Sequence, residues 1–201
     1  MRNDYTYVDP DHIYTNPQTG VLRNLADIAG QDALEFFESA AVTKRIKELK
    51  DRPVKIMDST ALLAIHKYLF QDVYQWAGQK RLVEISKGGN QFFPTGRFDT
   101  AFAYIDNLLA EYRAIDKADK CQMVEKLAVI LDAVNHLHPF REGNGRVQRE
   151  FIRTLAFEKD FELNLNPADN ADIYERYMTG TIDGDKNKLA KLILEVMKEC
   201  E

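Results

Sequence analysis

The sequence lacks the features that mark several common protein classes. Its 201 residues include only two cysteines, Cys121 and Cys200, which lie far apart and fit no metal-ligand spacing. No apolar run approaches the roughly 20 residues that a membrane span needs, and the first residues lack the apolar core of a signal peptide. A formal net charge of −5 argues against a mainly electrostatic nucleic-acid binder. These absences predict a soluble, cytoplasmic protein with no membrane span and no direct nucleic-acid binding.

What the composition does contain is typical of a compact globular protein. Hydrophobic residues make up 45% of the chain, enough to bury a substantial core without a disulfide or a metal ion. The length suits one domain, and no repeat, low-complexity tract or linker divides it. Within residues 1–30, the run Asn16–Gly20 is a turn signal because proline fixes one dihedral angle and glycine permits the reversed one. We predict an irregular arm over 1–30 and a single domain over 31–201.

Apolar residues recur at helical spacing through most of that domain. The clearest helix covers 121–137, where Leu127, Leu131 and Val134 share one face and Pro139 follows the end of the pattern. The other predicted helices cover 33–50, 59–73, 99–112, 145–159, 173–178 and 189–197. The fold class is therefore mainly α.

One stretch departs from helical spacing. Leu82-Val83-Glu84-Ile85 and Gln91-Phe92-Phe93 favour β-structure, and Ser86–Asn90 between them is a turn signal. We predict a short β-hairpin over 82–93.

A dense group of charged residues and glycines separates two of the helices. The segment 138–149, HPFREGNGRVQR, holds a histidine, a carboxylate, two glycines and three arginines, more charge than a packed helix junction needs. Gly143 and Gly145 let the backbone approach a ligand, and the amides that open the next helix favour an anion. Arg146 and Arg149 lie near one face of its first turn and complete a phosphate cradle.

Two further side chains in this segment can take part in chemistry. Glu142 can hold a magnesium ion that bridges phosphates, because Mg²⁺ prefers one or two carboxylates plus phosphate oxygens and water. His138 is the side chain here that takes up a proton most readily near neutral pH. Together these residues predict a nucleotide-phosphate site with its own base.

Each residue also has a simpler interpretation. His138 could be an ordinary helix-terminal histidine, the glycines a plain loop, the arginines a solvated face, and Glu142 a partner for a nearby arginine. His136 and His138 alone are a weak zinc signal. Gly143-Asn144-Gly145 lacks the Lys-Ser/Thr of a Walker P-loop. The simpler interpretations would all have to coincide within twelve residues, so we favour the nucleotide site.

The same segment resembles the signature of the Fic family, His-x-Phe-x-Asp/Glu-Gly-Asn-Gly-x-x-x-Arg, and matches it completely. A second stretch, 65–78, together with Arg81, is similar to the family, and the resemblance covers roughly 34–198. The arm, with Asn16–Leu22 and Asn24, is similar to the Fic toxins and host-directed Fic effectors of bacteria. The resemblance implies a helical fold with a central helix–motif loop–helix, a β-hairpin flap over the site, and transfer of AMP from ATP to a hydroxyl side chain (Tyr, Ser or Thr) of a target protein.

The resemblance also assigns roles to residues by position. It implies that His138 deprotonates the incoming hydroxyl, that Glu142 holds Mg²⁺, and that Phe140 anchors the loop in the core. The remaining roles concern ATP: the backbone of Gly143, Asn144 and Gly145 and the Asn144 side chain receive the α-phosphate, and Arg146 and Arg149 bind the distal phosphates.

The reaction type rests on one glycine. The phosphotransferase branch of the family has lysine where this chain has Gly145, so the resemblance implies adenylylation rather than phosphorylation. Two alternatives remain at this point: transfer of another nucleotide or phosphodiester-linked group, and nucleotide binding without turnover. A bacterial toxin or an effector delivered into a host cell is the expected context.

Two predictions concern partners. A strand edge beside an active site can align a substrate by main-chain pairing, so we expect the target to dock on the flap, at Leu82, Val83, Glu84, Ile85, Phe92 and Phe93. Many Fic proteins carry an inhibitory helix, Ser/Thr-x-x-x-Glu-Gly/Asn, whose glutamate pairs with the last arginine of the motif. Here Glu142 is the only glutamate followed by Gly or Asn, and His138 stands four residues before it. We therefore expect either a small antitoxin-like protein that supplies the glutamate or an enzyme kept from its target by compartment.

Overall fold

The computed structural model describes residues 5–7, 9–165 and 170–200. Residues 1–4, to which the prediction of no signal peptide refers, lie outside the described residues. The described residues form seven α-helices, which confirms the mainly α class. They are α1 (Gln31–Asp51), α2 (Ala61–Phe70), α3 (Phe98–Ala114), α4 (Lys120–Leu137), α5 (Asn144–Phe157), α6 (Ala171–Asp183) and α7 (Lys186–Val196). All seven predicted helices are present, with ends that differ by a few residues.

Helix α4 forms the centre of the fold. Its N-cap Asp119 accepts a hydrogen bond from the Gln122 amide at 3.0 Å, and its apolar face is buried. It packs against α3, α5 and α7, while α5 also packs against α2. Because both α4 and α5 are fixed by the core, the segment that joins them is held at both ends.

The predicted hairpin is present but shorter than expected. Its strands are β2 (Ile85–Lys87) and β3 (Asn90–Gln91), and the connecting Gly88 and Gly89 both have positive φ. Leu82, Val83 and Glu84 precede β2, and Phe92 and Phe93 follow β3. We call residues 82–93 the flap. The turn is tight because two successive glycines adopt the left-handed conformation, which lets Ser86 and Lys87 remain in the strand.

The arm is less irregular than predicted. Its residues Tyr5–Tyr7 form a strand, β1, that pairs antiparallel with β2, with Tyr7 opposite Ile85 and Tyr5 opposite Lys87. The predicted turn at Asn16–Gly20 is present, with the Gly20 amide donating to the Asn16 carbonyl at 2.8 Å. A second small sheet joins β4 (Phe161–Glu162) to β5 (Lys198–Glu199). Strands of two or three residues have too little alternation to be read from sequence.

Candidate active site

The segment 138–149, which we call the motif segment, begins where α4 ends and includes the first turns of α5. His138 ends α4 in the left-handed conformation, with φ of 45°, and Gly143 precedes α5 with φ of 84°. A Cβ atom on Gly143 would lie 2.2 Å from the Phe70 ring, so only glycine fits this turn. The segment borders a cavity of about 280 Å³, lined by Tyr7, Ile85, Lys87, His138, Arg141, Glu142, Gly143, Asn144, Gly145, Arg146, Arg149, Tyr174 and Met178. The predicted base and phosphate-binding residues therefore share one cavity.

His138 is held as a neutral imidazole. Its Nδ1 lies 3.3 Å from the Asn135 carbonyl oxygen, which can only accept a hydrogen bond, so Nδ1 carries the hydrogen and Nε2 is the basic nitrogen. The ring stacks on Phe92 with centroids 3.7 Å apart. Burial lowers the pKa of His138 to about 3, and the positive charges of Arg81 and Lys87 act in the same direction. The imidazole is therefore unprotonated at neutral pH, as a general base must be.

Phe140 is buried against a histidine whose role the sequence did not reveal. The ring of His66 on α2 stacks on Phe140 with centroids 3.9 Å apart. The Gly78 amide donates to His66 Nδ1 at 2.7 Å, so Nε2 carries the hydrogen and donates to the Glu142 carbonyl at 3.1 Å. Burial lowers the pKa of His66 to about 3. His66 thus supports the motif segment from below through both its ring face and its N–H.

Arg81 is a second residue that links the site together. Its guanidinium is fully buried and donates to three backbone carbonyls, those of His138 at 2.9 Å, Val83 at 2.6 Å and Phe93 at 2.6 Å. Burial lowers the pKa of Arg81, an effect that the Glu84 carboxylate partly offsets. These carbonyls belong to the two ends of the flap and to the first residue of the motif segment. Arg81 therefore holds the flap next to His138.

The Asn144 side chain closes the motif loop. Its Oδ1 accepts from the Phe140 amide at 3.0 Å, and its Nδ2 donates to the Phe140 carbonyl at 2.8 Å. The resemblance implied a bond from this amide to the α-phosphate. In the structure the buried amide forms a two-sided clamp across four residues, which shapes the loop and uses one of its two N–H donors.

Glu142 and Arg146 form a network with a residue outside the motif segment. Arg146 Nη1 lies 2.6 Å from Glu38 Oε1 on α1, and Nη2 lies 3.3 Å from Glu142 Oε1. The Tyr74 hydroxyl donates to the other Glu38 oxygen. Burial alone would lower the pKa of Arg146, but Glu38 and Glu142 outweigh it and raise it. The sequence analysis did not identify Glu38, because the spacing along α1 does not show which distant charge it meets.

The Glu142 carboxylate is placed to bind a metal ion that is also bound by substrate phosphates. Its Oε1 accepts from the Gly143 amide at 2.8 Å, which orients the group, and 37% of the side chain remains exposed at the cavity. Among the described residues no group of three or more His, Cys, Asp or Glu side chains could hold a metal alone. One oriented carboxylate beside a phosphate cradle fits Mg²⁺, which is commonly bound through one or two carboxylates and substrate phosphates.

Arg149 lies on the far wall of the cavity. Its guanidinium carbon is 5.6 Å from the centre of the Tyr174 ring and 5.3 Å from that of Tyr177. Within the described part of the chain, no carboxylate forms an ion pair with it. A guanidinium beside two aromatic rings at a cavity wall can bind an anionic group.

The six flap residues predicted to dock a target have different surroundings. Leu82 is 70% exposed, whereas Val83 and Ile85 are buried in the core. Glu84 accepts from the Thr95 amide at 2.9 Å, and the Phe93 amide donates to the His136 carbonyl of α4 at 3.0 Å.

The outer edge of the flap is not exposed. Strand β1 pairs with β2 along that edge, so the edge expected to receive a target is covered by the chain's own arm.

Comparison with known proteins identifies the family. A model of the Fic/DOC family matches residues 56–156, about half of the chain, including the whole motif segment. The chain belongs to the Fic/DOC family. The Fic fold predicted from the motif is thereby confirmed.

Two relatives and one solved structure illustrate the similarity. The chain is 36% identical to the protein adenylyltransferase VbhT of Bartonella schoenbuchensis over 80% of its own length. The matched region spans about a third of VbhT (34%). It is 34% identical to the probable protein adenylyltransferase y4lH of Sinorhizobium fredii, over 90% of this chain and 92% of that protein. The fold resembles that of BepC, a VirB-translocated effector protein from Bartonella tribocorum crystallised with AMPPNP, with a TM-score of 0.81, 20% identity and coverage of 94% and 98% of the two chains.

Proposed function

We propose that this Fic protein is a protein adenylyltransferase that transfers AMP from ATP to a hydroxyl side chain of a target protein. The observation that carries the proposal is one cavity lined by a neutral histidine, a glycine-opened helix N-terminus and Arg149. The relatives named protein adenylyltransferase support the same reaction. Gly145 stands where the phosphotransferase branch has lysine, which favours attack at the α-phosphorus.

In the proposed reaction, His138 Nε2 accepts the proton of the target hydroxyl. Because the imidazole is already neutral, no prior deprotonation is needed. The hydroxyl oxygen then bonds to the α-phosphorus of ATP, the bond from that phosphorus to the bridging oxygen of the β-phosphate breaks, and pyrophosphate leaves.

The phosphates are bound by the start of α5. The first-turn amides of a helix have no partner within the helix, so those of Asn144 and Gly145 are suited to the α-phosphate. Arg149 binds a distal phosphate, and Arg146 adds positive charge from a position fixed by Glu38 and Glu142. Mg²⁺, when bound with ATP, would be held by Glu142 and would neutralise charge on the phosphates.

We further propose that the protein is controlled from outside the chain. No glutamate in the given sequence fits the pattern of the inhibitory helix. An outside glutamate that pairs with Arg149 would deny the distal phosphate its partner. Either a small antitoxin-like protein supplies this glutamate, or the enzyme is kept from its target by compartment. The protein would then be a bacterial toxin or an effector delivered to a host cell. No helix in the described part of the chain combines the length and apolar character of a membrane span.

Labelled ATP tests the reaction. The purified chain is incubated with Mg²⁺, a bacterial lysate and ATP that is labelled on either the α- or the γ-phosphate. Protein labelling from α-labelled ATP alone is expected; labelling from the γ-position would indicate a kinase, and none would indicate a binding module. Replacing ATP by the other nucleotides tests whether a different nucleotide is transferred.

A second experiment tests the control. The chain expressed without a partner should slow bacterial growth and should transfer AMP when purified alone. If the isolated chain is inert until one of its own segments is cut away or mutated, control by an outside partner is wrong.

A further inference from the structure

Strand β1 occupies the position in which a docked target would lie. It adds antiparallel to β2, the flap strand beside the cavity, with Tyr7 directly opposite Ile85. On the other side of the hairpin, just after β3, the Phe93 amide donates a hydrogen bond to the His136 carbonyl of α4. The edge at which a further strand can join is therefore that of β2. Main-chain pairing of this kind needs little sequence information, so a segment of the same chain can use it.

The side chain that β1 carries into the cavity is a tyrosine. Tyr7 lines the same cavity as His138, Glu142 and Arg149. The Arg141 guanidinium carbon lies 3.4 Å from the centre of the Tyr7 ring, a close cation–π contact that fixes the ring. Arg141 is itself buried, so this position does not depend on a flexible surface side chain.

The chemistry of Tyr7 suits an acceptor. Burial raises the pKa of its phenol, an effect that Arg141 partly opposes, so the hydroxyl is protonated at neutral pH and needs a base to react. His138, unprotonated and on the wall of the same cavity, is such a base. Ser86, opposite Thr6 on the flap, lines no part of the cavity, and Thr6 itself is exposed on the strand.

We propose that Tyr7 is a self-modification site, at which the chain transfers AMP to its own arm. This inference rests on the proposed function. The phenolic oxygen of Tyr7 bonds to the α-phosphorus of ATP, the bond to the bridging oxygen of the β-phosphate breaks, pyrophosphate leaves, and the phenol proton passes to His138 Nε2. Because β1 and the flap belong to one chain, the transfer occurs within the molecule.

The test maps the modification on the full chain. Purified wild-type protein is incubated with ATP and Mg²⁺, and its peptides are sequenced by mass spectrometry with fragmentation that separates Tyr5 from Tyr7. AMP on Tyr7 is expected. Tyr7→Phe, which keeps the ring and the strand pairing, should lose this label, whereas the matched control Tyr5→Phe should keep it. AMP found only on other residues, or a wild-type level of self-label in Tyr7→Phe, would overturn the proposal.

Two further arms separate this proposal from the proposed function. If wild type labels lysate proteins but never its own Tyr7, the self-modification site is wrong and the enzyme activity stands. If α-labelled ATP labels neither lysate proteins nor the chain, both fail. Finally, a size-tagged His138→Ala chain mixed with wild type should remain unlabelled at Tyr7; label on it at the wild-type rate would contradict transfer within the molecule.

Discussion

The motif segment and the flap border the same cavity but are held in place in different ways. The motif segment is fixed by buried side chains from several elements: the His66 ring beneath Phe140, the Asn144 clamp and the Glu38 ion pair. The flap is fixed at its base by Arg81, and nearer its tip its strand β2 pairs through the backbone with β3 and with the arm strand β1. Buried side chains therefore fix the motif segment, whereas β1, β2 and β3 are joined through their backbones.

The largest expected effect comes from removing the proposed base, His138. His138→Ala should lower AMP transfer by about 10²–10⁴-fold, since this is the usual contribution of a general base. ATP binding should stay close to wild type because the groups proposed to bind the phosphates lie on α5. The measurements are incorporation from α-labelled ATP and calorimetric ATP affinity. Wild-type transfer by the variant would refute the assigned mechanism.

A pair of glycines compares the packing of the two regions directly. Gly143 and Gly89 have nearly the same φ, 84° and 83°, but a Cβ atom would meet the Phe70 ring in the first case and open space in the second. Gly143→Ala should destabilise the fold by about 2–5 kcal/mol through left-handed strain and overpacking together, and Gly89→Ala by about 1–2 kcal/mol through strain alone. Urea unfolding of the two variants gives the difference. Equal losses would mean that the motif segment is as loosely packed as the flap.

The same contrast explains which features could be predicted from the sequence. Helix α4 has several turns of regular apolar spacing, and the motif segment concentrates its chemistry in twelve consecutive residues, so both could be recognised. Strand β1 has three residues and gains its partner across a long stretch of chain. Likewise Glu38 and His66 act through contacts with residues far along the chain, which local periodicity does not encode.

A smaller effect is expected at Glu142, the residue proposed to hold Mg²⁺. Glu142→Ala should weaken productive ATP use by about 10- to 100-fold, as expected for the loss of one charged contact of about 1.5–3 kcal/mol. Raising Mg²⁺ should recover only part of the activity, because the substituted site lacks its carboxylate. Transfer rates measured over a magnesium titration test this. Unchanged magnesium dependence would show that the ion is bound elsewhere. The matched control is Glu125→Ala on α4, which removes an exposed carboxylate that does not line the cavity.

The smallest effect concerns pH and tests how firmly the motif segment is buried. His66 and His138 both have a pKa lowered by burial from 6.5 to about 3. Between these values the unfolded chain binds more protons than the folded chain, so their contribution to stability is complete above about pH 6.5 and is lost as the pH falls toward 3. Each histidine should contribute a slope of up to about 1.4 kcal/mol per pH unit.

The free energy of unfolding in urea, measured from about pH 7 to about pH 5, gives the total slope. His66→Gln retains a side chain that can donate to the Glu142 carbonyl but does not titrate, so the slope over this range should be smaller than in wild type. Carboxylates that titrate in both proteins cancel in the difference. An equal slope in the two proteins would mean that His66 takes up a proton in the folded state as easily as in the unfolded chain, and that the support beneath the motif segment is open to water.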